Sequence, residues 1–422
     1  MSPTREPPAP SVPSDVVRSF YDRYPYPPPL SNLEAHRQLW DDPLRRRADF
    51  HLHWPWRPFR EDLAILVAGC GTSQAAKYAV RWPAASVLGI DFSATSVRST
   101  AELKTRHRLD NLTVCQLAIE RSAKLEARFD QIVCTGVLHH LRDPEAGIRA
   151  LRAVLKPEGV IHLMLYAPYG RTGIYMIQEF CRRTGIPATD DGMRQLMGVL
   201  RELPSEHPIV PLLRAAPDFD SPAAFADALM NPQDRAYSVA ALFRLLEDNG
   251  LCFLRWLRQA PYSSRCGLLL NLPESLQLRR LPAREESAVA ELFRDSMLRH
   301  TAVVCRDDHP WAHRRIEFSG PAFLKCVPIR LPDTVTIREP LPAGVAALLR
   351  SRSHTYADTV LPLSARELGL VEAIDGRRTV GDLSGAAGAS VDAPLLERMW
   401  WHDQIVFDAS GSAPPSRPRS MR

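Results

Sequence analysis

The stretch ILVAGCGTSQAA, residues 65–76, decides how the rest of the chain is read. An apolar run of the kind found in strands buried on both faces passes directly into Gly69-Cys70-Gly71. Glycines let the backbone turn tightly and let a ligand approach where a Cβ would otherwise stand. A helix expected through SQAAKYAVRW then aims its free backbone N–H groups at that ligand. Twenty residues beyond Gly71 a second apolar run, ASVLGID, ends on Asp91. A carboxylate at that place accepts the hydroxyls of an adenosine ribose. Together these residues describe a nucleoside site at the carboxyl ends of parallel strands. A dinucleotide fingerprint needs a small residue where Gln74 stands, so a nicotinamide dinucleotide fits poorly.

Outward from this turn the pattern alternates. A helix through SATSVRSTAELKTRH, a strand LTVCQLA, a strand FDQIVCTG, a helix through PEAGIRALRAVL and a strand GVIHLMLYA follow in order. Repeated strand–helix units with apolar strands predict an α/β, Rossmann-like fold with helices on both faces of a parallel sheet. Residues 170–237 read as a helical insertion. Ser238 is placed to cap a helix that stops at Gly250. LCFLRWL and CGLLLNL read as two further strands, joined by a short loop that suits an antiparallel pair. A helix at about 284–298 and a strand TAVVC follow. Residues 346–408 read as a small helical module ending in the strand QIVF. The expected organisation is a disordered tail 1–13, an N-terminal cap segment 14–61, a nucleoside-binding domain 62–275, a connecting region 276–345, the module 346–408 and a second disordered tail 409–422.

Composition bounds the function. The chain has 422 residues, 45% hydrophobic and 24% charged, ordinary values for a globular protein. A net charge of +5 is too weak to argue for nucleic acid. The apolar runs fall far short of the ~20 residues that span a bilayer, so no membrane partner is expected. No pair of the eight cysteines has CxxC spacing; no metal is expected, and a cytoplasmic location fits.

The combined spacing resembles the class I S-adenosylmethionine-dependent methyltransferases over about residues 60–275. ILVAGCGTSQ stands as motif I and GIDFS as the ribose-binding element. FDQIVCTGVLHHLRDPEAGIRALRAVLKPEGVIHLMLYAP matches the family's fourth strand, fourth helix and L-K-P-x-G turn into strand five. Within the family the chain is similar to bacterial proteins with a PYP element before motif I, an LHH after strand four and a DRAYSV-like element, here Asp234 to Val239. The resemblance implies a seven-stranded sheet with strand seven antiparallel, and S-adenosyl-L-methionine as cofactor. It implies cofactor contacts at Ala68, Gly69, Cys70, Gly71, Asp91, Phe92, Ile119, Thr135 and Gly136, and an acceptor that is a small molecule or a modified peptide. The chain departs from the family at Val67, where an acidic residue is common, at Ser73, where the third glycine stands, and at CQLAIE, which lacks an acid after strand three.

His139 and His140 can face the acceptor and remove a proton, or can be helix-start histidines with structural hydrogen bonds. Tyr166, Tyr169 and Arg171 follow strand five at the mouth of the site, and Arg235 and Tyr237 can close over it. Upstream, SFYDRYPYPPPL places Tyr24 and Tyr26 each before a proline, which biases both to extended geometry. This segment is either an aromatic flap over the cofactor and acceptor or a strap on the sheet edge. The C-terminal module resembles a winged helix or a small peptide-binding domain through IDGRRTVGDLSGAAG; homodimerisation, substrate presentation and plain packing all remain open for it. Two rival functions stand beside methyl transfer to a small acceptor: a catalytically silent binding protein, and nucleic-acid methylation. The lack of an N-P-P-[YF] motif after strand four weakens the second.

Overall fold

The computed structural model describes residues 14–215, 221–354, 356–386 and 392–412. Of the stretches read above as tails, 1–13 and 413–422 lie outside the described residues, while the tail 409–422 begins with a buried Ala409 and a short 3-10 turn, Ser410–Ser412. The chain divides into two compact units. One comprises residues 1–37, 62–253 and 294–309, the other 38–61, 254–293 and 310–422.

The first unit is built on the strand–helix repeats. β1 (Ala64–Ala68), β2 (Ser86–Asp91), β3 (Leu112–Gln116), β4 (Phe129–Thr135), β5 (Leu155–Tyr166), β6 (Leu251–Trp256) and β7 (Arg299–Arg306) form one sheet in the order β3-β2-β1-β4-β5-β7-β6. β1 pairs in parallel with both β2 and β4, β2 with β3 and β4 with β5, whereas β7 runs antiparallel to β5. Ile65, Leu66, Val67 and Ala68 are wholly buried, as expected for a central strand covered on both faces. Order reverses at β1 and β4, and ligands of open α/β sheets bind outside the carboxyl ends of the strands at such a switch point.

Local chemistry sets the helix starts. Ser93 accepts from Ser96 N–H at the head of Ala94–His107, and Asp143 from Ala146 N–H ahead of Pro144–Val154. These side chains satisfy N–H groups that have no intrahelical partner. The insertion forms helices Thr172–Thr184, Asp190–Arg201, Val210–Ala215 and Pro222–Met230 around Ile174, Ile177, Leu196, Ile209, Phe225 and Leu229.

One expectation is corrected. CGLLLNL is not a strand: Gly267–Leu270 is a short helix, with Cys266 and Leu269, three apart, buried and Leu268 and Leu270 exposed. The seventh strand is RHTAVVCR, whose Ala302, Val303, Val304 and Cys305 are fully buried. Short apolar runs carry no periodicity that separates strand from helix. The sheet therefore draws its last strand from beyond residue 275.

The second unit contains two small antiparallel sheets. One orders β11 (Leu361–Leu363), β10 (Ala347–Ser351) and β9 (Thr334–Ile337); the other pairs β12 (Ile405–Asp408) with β8 (Val327–Arg330). Its core gathers Leu349, Leu363, Val380, Leu395, Met399 and Phe407. No helix among the described residues is long and apolar enough to cross a membrane.

Candidate functional site

The turn after β1 is built as the glycines require. Gly69 has φ +71° and Gly71 φ +54°, the left-handed region that residues with a Cβ avoid. A Cβ on Gly69 would stand 2.4 Å from Val137 Cγ2. Gly69 and Cys70 donate their N–H groups to the Ile90 carbonyl at 2.8 and 2.9 Å, tying the turn to the end of β2. Ala68 and Cys70 are fully buried, and burial pushes the Cys70 thiol up far beyond its ordinary range. Cys70 is therefore a small apolar spacer.

Asp91 sits against this turn. Its Oδ2 accepts from Gly71 N–H and its Oδ1 from Ser93 N–H, both at 2.9 Å. A carboxylate has about four lone-pair sites, so acceptor capacity remains for hydroxyl donors. Burial pushes the Asp91 carboxyl up to about 6, partly offset by the N–H groups of Ser93, Gly71 and Phe92. Thr135, at the end of β4, accepts from Gln74 Nε2 at 2.7 Å, and Gly136 follows with φ +77°. Gln74, where a dinucleotide site needs a small side chain, is thus a clamp between the helix Gln74–Arg81 and β4. Ile119 is buried and faces the helix Pro144–Val154, where a Cβ on Gly147 would meet it at 3.7 Å.

The N-terminal segment lies directly on the turn. Thr72 Oγ1 donates to the Pro27 carbonyl at 2.7 Å, and the Tyr26 carbonyl and Pro27 Cδ stand 3.4 Å from where a Gly71 Cβ would be. Upstream of it, the helix Ser14–Arg23 reaches the head of Ala94–His107, where Asp22 accepts from Ser93 Oγ at 2.6 Å. The Tyr21 ring meets Phe92 edge-on at 6.2 Å and His140 at 6.0 Å. Tyr24 is placed differently: its ring packs with Phe20 and Ala226, and its hydroxyl donates to Asp190 at 2.5 Å.

Beside the ends of β4 and β5 lies a buried polar cluster. Tyr21 and Tyr166 donate their hydroxyls to the two oxygens of Asp227, at 2.8 and 3.2 Å. Burial, reinforced by Asp227, raises both phenols well above their ordinary range. The Arg171 guanidinium lies 3.6 Å from the centre of the Tyr166 ring and pairs with Asp234 Oδ2 at 3.0 Å. His139 stacks on the other ring neighbours, 3.9 Å from Tyr166 and 4.2 Å from His140. Burial, with His140 and Arg171 nearby, holds the His139 imidazole well below its ordinary value, so it is neutral at physiological pH. Arg235 donates its N–H to the His139 carbonyl and Tyr237 its N–H to that of Tyr166. The DRAYSV element thus lines this cluster through its backbone, with the Arg235 side chain exposed and the Tyr237 ring buried. Tyr169 stands 42% exposed, apart from the cluster.

Sequence reasoning brought Gly71, Asp91, Phe92, Tyr26, His139, His140, Tyr166 and Arg171 to one region. It gave no role to Tyr21 or Asp227, whose pairing spans 206 residues of chain. The one available signal for Tyr21 was its place on the apolar face of the first helix.

Comparison with known proteins agrees with this architecture. Residues 66–161 match the family model described as a methyltransferase domain. An uncharacterised protein of Synechococcus sp. is 31% identical over 261 residues, 57% of this chain and 59% of that protein. A ubiquinone biosynthesis O-methyltransferase of Haemophilus ducreyi is 29% identical over 150 residues, 32% of this chain and 61% of that protein. The chain thus spans about three fifths of the length of these relatives. PKMT2 from Rickettsia typhi, in complex with AdoHcy, has the same fold with a TM-score of 0.61 at 15% identity, over 87% of this chain and 75% of that one. By its sheet order, its glycine turn and the match over residues 66–161, the chain carries a class I S-adenosylmethionine-dependent methyltransferase domain.

Proposed function

We propose that the protein binds S-adenosyl-L-methionine and transfers its methyl group to an O, N or C atom of a small molecule or modified peptide. The observation that carries this reading is the pairing of Gly71 N–H with Asp91 Oδ2 at 2.9 Å. It fixes a carboxylate with spare acceptor capacity beside a glycine turn at the sheet's switch point. Such a site takes an uncharged ribose and a compact amino-acid tail, and the turn lacks the small third residue that a pyrophosphate needs.

The cofactor supplies an electrophilic methyl carbon on a sulfonium. The chain's own contribution is placement. Asp91 holds the ribose hydroxyls, Gly69 and Gly71 admit the amino-acid end, and Phe92 and Ile119 bound the adenine side. Tyr26 and its prolines lie on the turn, which supports reading this segment as a flap. Thr135 and Gly136 lie at the end of β4, next to the acceptor side. Holding two reactants in line lowers the barrier by an amount that reaches ~7–11 kcal/mol in model reactions. The acceptor side is the cluster of Tyr21, His139, His140, Tyr166, Arg171 and Asp227, with Tyr237 at its wall. His139, neutral and buried, packs against Tyr166 and His140 in the wall of this side. Tyr24, tied to Asp190, and exposed Tyr169 are outside this machinery.

A screen with methyl-labelled S-adenosylmethionine tests the proposal. Cell extract fractionated into small molecules, peptides and nucleic acid is incubated with wild type and with Asp91→Ala. The expected result is label in a small-molecule or peptide fraction with wild type and at least a tenfold drop with the variant. Label confined to nucleic acid, or none in any fraction despite cofactor binding, would replace this reading by one of its two rivals.

A further inference from the structure

The acceptor-side cluster contains lone pairs that nothing in the protein uses. His139 is fully buried, and neither of its ring nitrogens has a hydrogen-bond partner among the described residues. His140 Nδ1 is 2.7 Å from the Gln233 carbonyl and therefore carries the proton; its Nε2 is buried without a partner. Asp234 Oδ2 accepts from Arg171 at 3.0 Å and Gln178 at 3.3 Å, while Oδ1 is buried and unpartnered. One ligand atom from each of the three residues lies within 4.8 Å of the others. A buried polar atom without a partner is destabilising, so several in one place call for an occupant.

We propose that His139, His140 and Asp234 form a binding site for a divalent first-row transition ion of the Zn2+ or Fe2+ type. Two imidazole nitrogens and one carboxylate oxygen are a donor set such ions favour over Mg2+ or Ca2+, which prefer oxygen. The supporting contacts are also those of a metal site. A ligating imidazole is normally oriented by its other N–H on a carbonyl, as His140 is by Gln233, and a ligating carboxylate by donors on its second oxygen, as Asp234 is by Arg171 and Gln178. Tetrahedral ligand atoms ~2.1 Å from one ion stand ~3.4 Å apart, so atoms now within 4.8 Å of one another draw together by up to ~1.4 Å on binding. Three protein ligands leave one position of a tetrahedral ion open. The sequence gives no CxxC or HExxH spacing for this site because its third ligand comes from the DRAYSV element, far along the chain.

The test uses the full chain, stripped with a chelator, dialysed and titrated with Co2+ as a visible probe. One Co2+ per chain with ligand-field absorption in the visible is expected, displaced by Zn2+. His139→Gln, His140→Gln and Asp234→Asn should each weaken it at least tenfold. Circular dichroism and the thermal midpoint check that each variant is folded, and if one fails the wild-type titration and the others still decide. Wild type that takes up no Co2+ at about 100 μM, or uptake unchanged in the folded variants, overturns the proposal. Calorimetry with S-adenosylmethionine on the same stripped protein separates this failure from failure of the methyltransferase reading.

Discussion

At the scale of single residues the protein depends on one buried carboxylate. Asp91 carries its charge at a cost that burial imposes, and its carboxyl titrates near pH 6 in the free protein. Ribose hydroxyls donate to the ionised form and favour it, so the bound carboxyl titrates lower than the free one. Affinity for the cofactor is then full above pH 7 and falls as pH drops through about 6, by roughly tenfold at pH 5. Titration calorimetry across this range shows the fall in wild type, and Asp91→Asn shows a weak, flat profile. A wild-type affinity constant from pH 7.5 to 5 would remove Asp91 from the binding site. The position of this residue was legible in the sequence because it is set locally, by a strand, a glycine turn and a carboxylate at fixed spacing. Asp227 was not legible, since its significance comes from Tyr21 and Tyr166, which the fold brings to it from other parts of the chain.

At the scale of elements, the N-terminal segment joins the site in two distinct ways. Its Tyr26–Pro27 portion lies on the glycine turn through Thr72, while Tyr24 reaches the insertion helix at Asp190. The two contacts predict different outcomes. Thr72→Val deletes the bond to Pro27 and should weaken cofactor binding about fivefold, the worth of one hydrogen bond of ~1 kcal/mol. Tyr26→Ala should weaken it further. Tyr24→Phe gives up a bond to a largely exposed carboxylate and should leave cofactor affinity within twofold of wild type. Equal affinities for wild type, Thr72→Val and Tyr26→Ala would make the segment a strap. The aromatic and proline content of SFYDRYPYPPPL left a flap over the site and a strap on the sheet edge both open; only the structure separates Tyr24 from Tyr26, because the separation rests on contacts far apart in sequence.

At the scale of the molecule, the family resemblance implied the strand count, and the reading of CGLLLNL as a strand misplaced the last member. CGLLLNL and RHTAVVCR are both short apolar runs, and only pairing with β5 from Tyr166–Arg299 to Val160–Cys305 identifies the second as β7. A chain truncated after residue 275 would lose that strand and leave β5 with an unpaired edge, an aggregation-prone arrangement. Such a truncation should be insoluble or lack a cooperative thermal transition; a soluble, monomeric, cooperatively folding product would contradict the register described here. Of the small sheets of the second unit the sequence showed QIVF, which is β12, but not its partner β8 nor the sheet β9–β11, since strands of three to five residues such as Leu361–Leu363 carry almost no periodic signal.

The central claim is that the turn at Gly69–Gly71 and the Asp91 carboxylate together bind S-adenosylmethionine. Isothermal titration of the full chain with that cofactor at pH 7.5, wild type beside Asp91→Ala, tests it most directly. Saturable one-to-one binding to wild type, weakened at least tenfold in the variant, is the predicted result. No heat of binding to folded wild type, or the same affinity in both proteins, would contradict it.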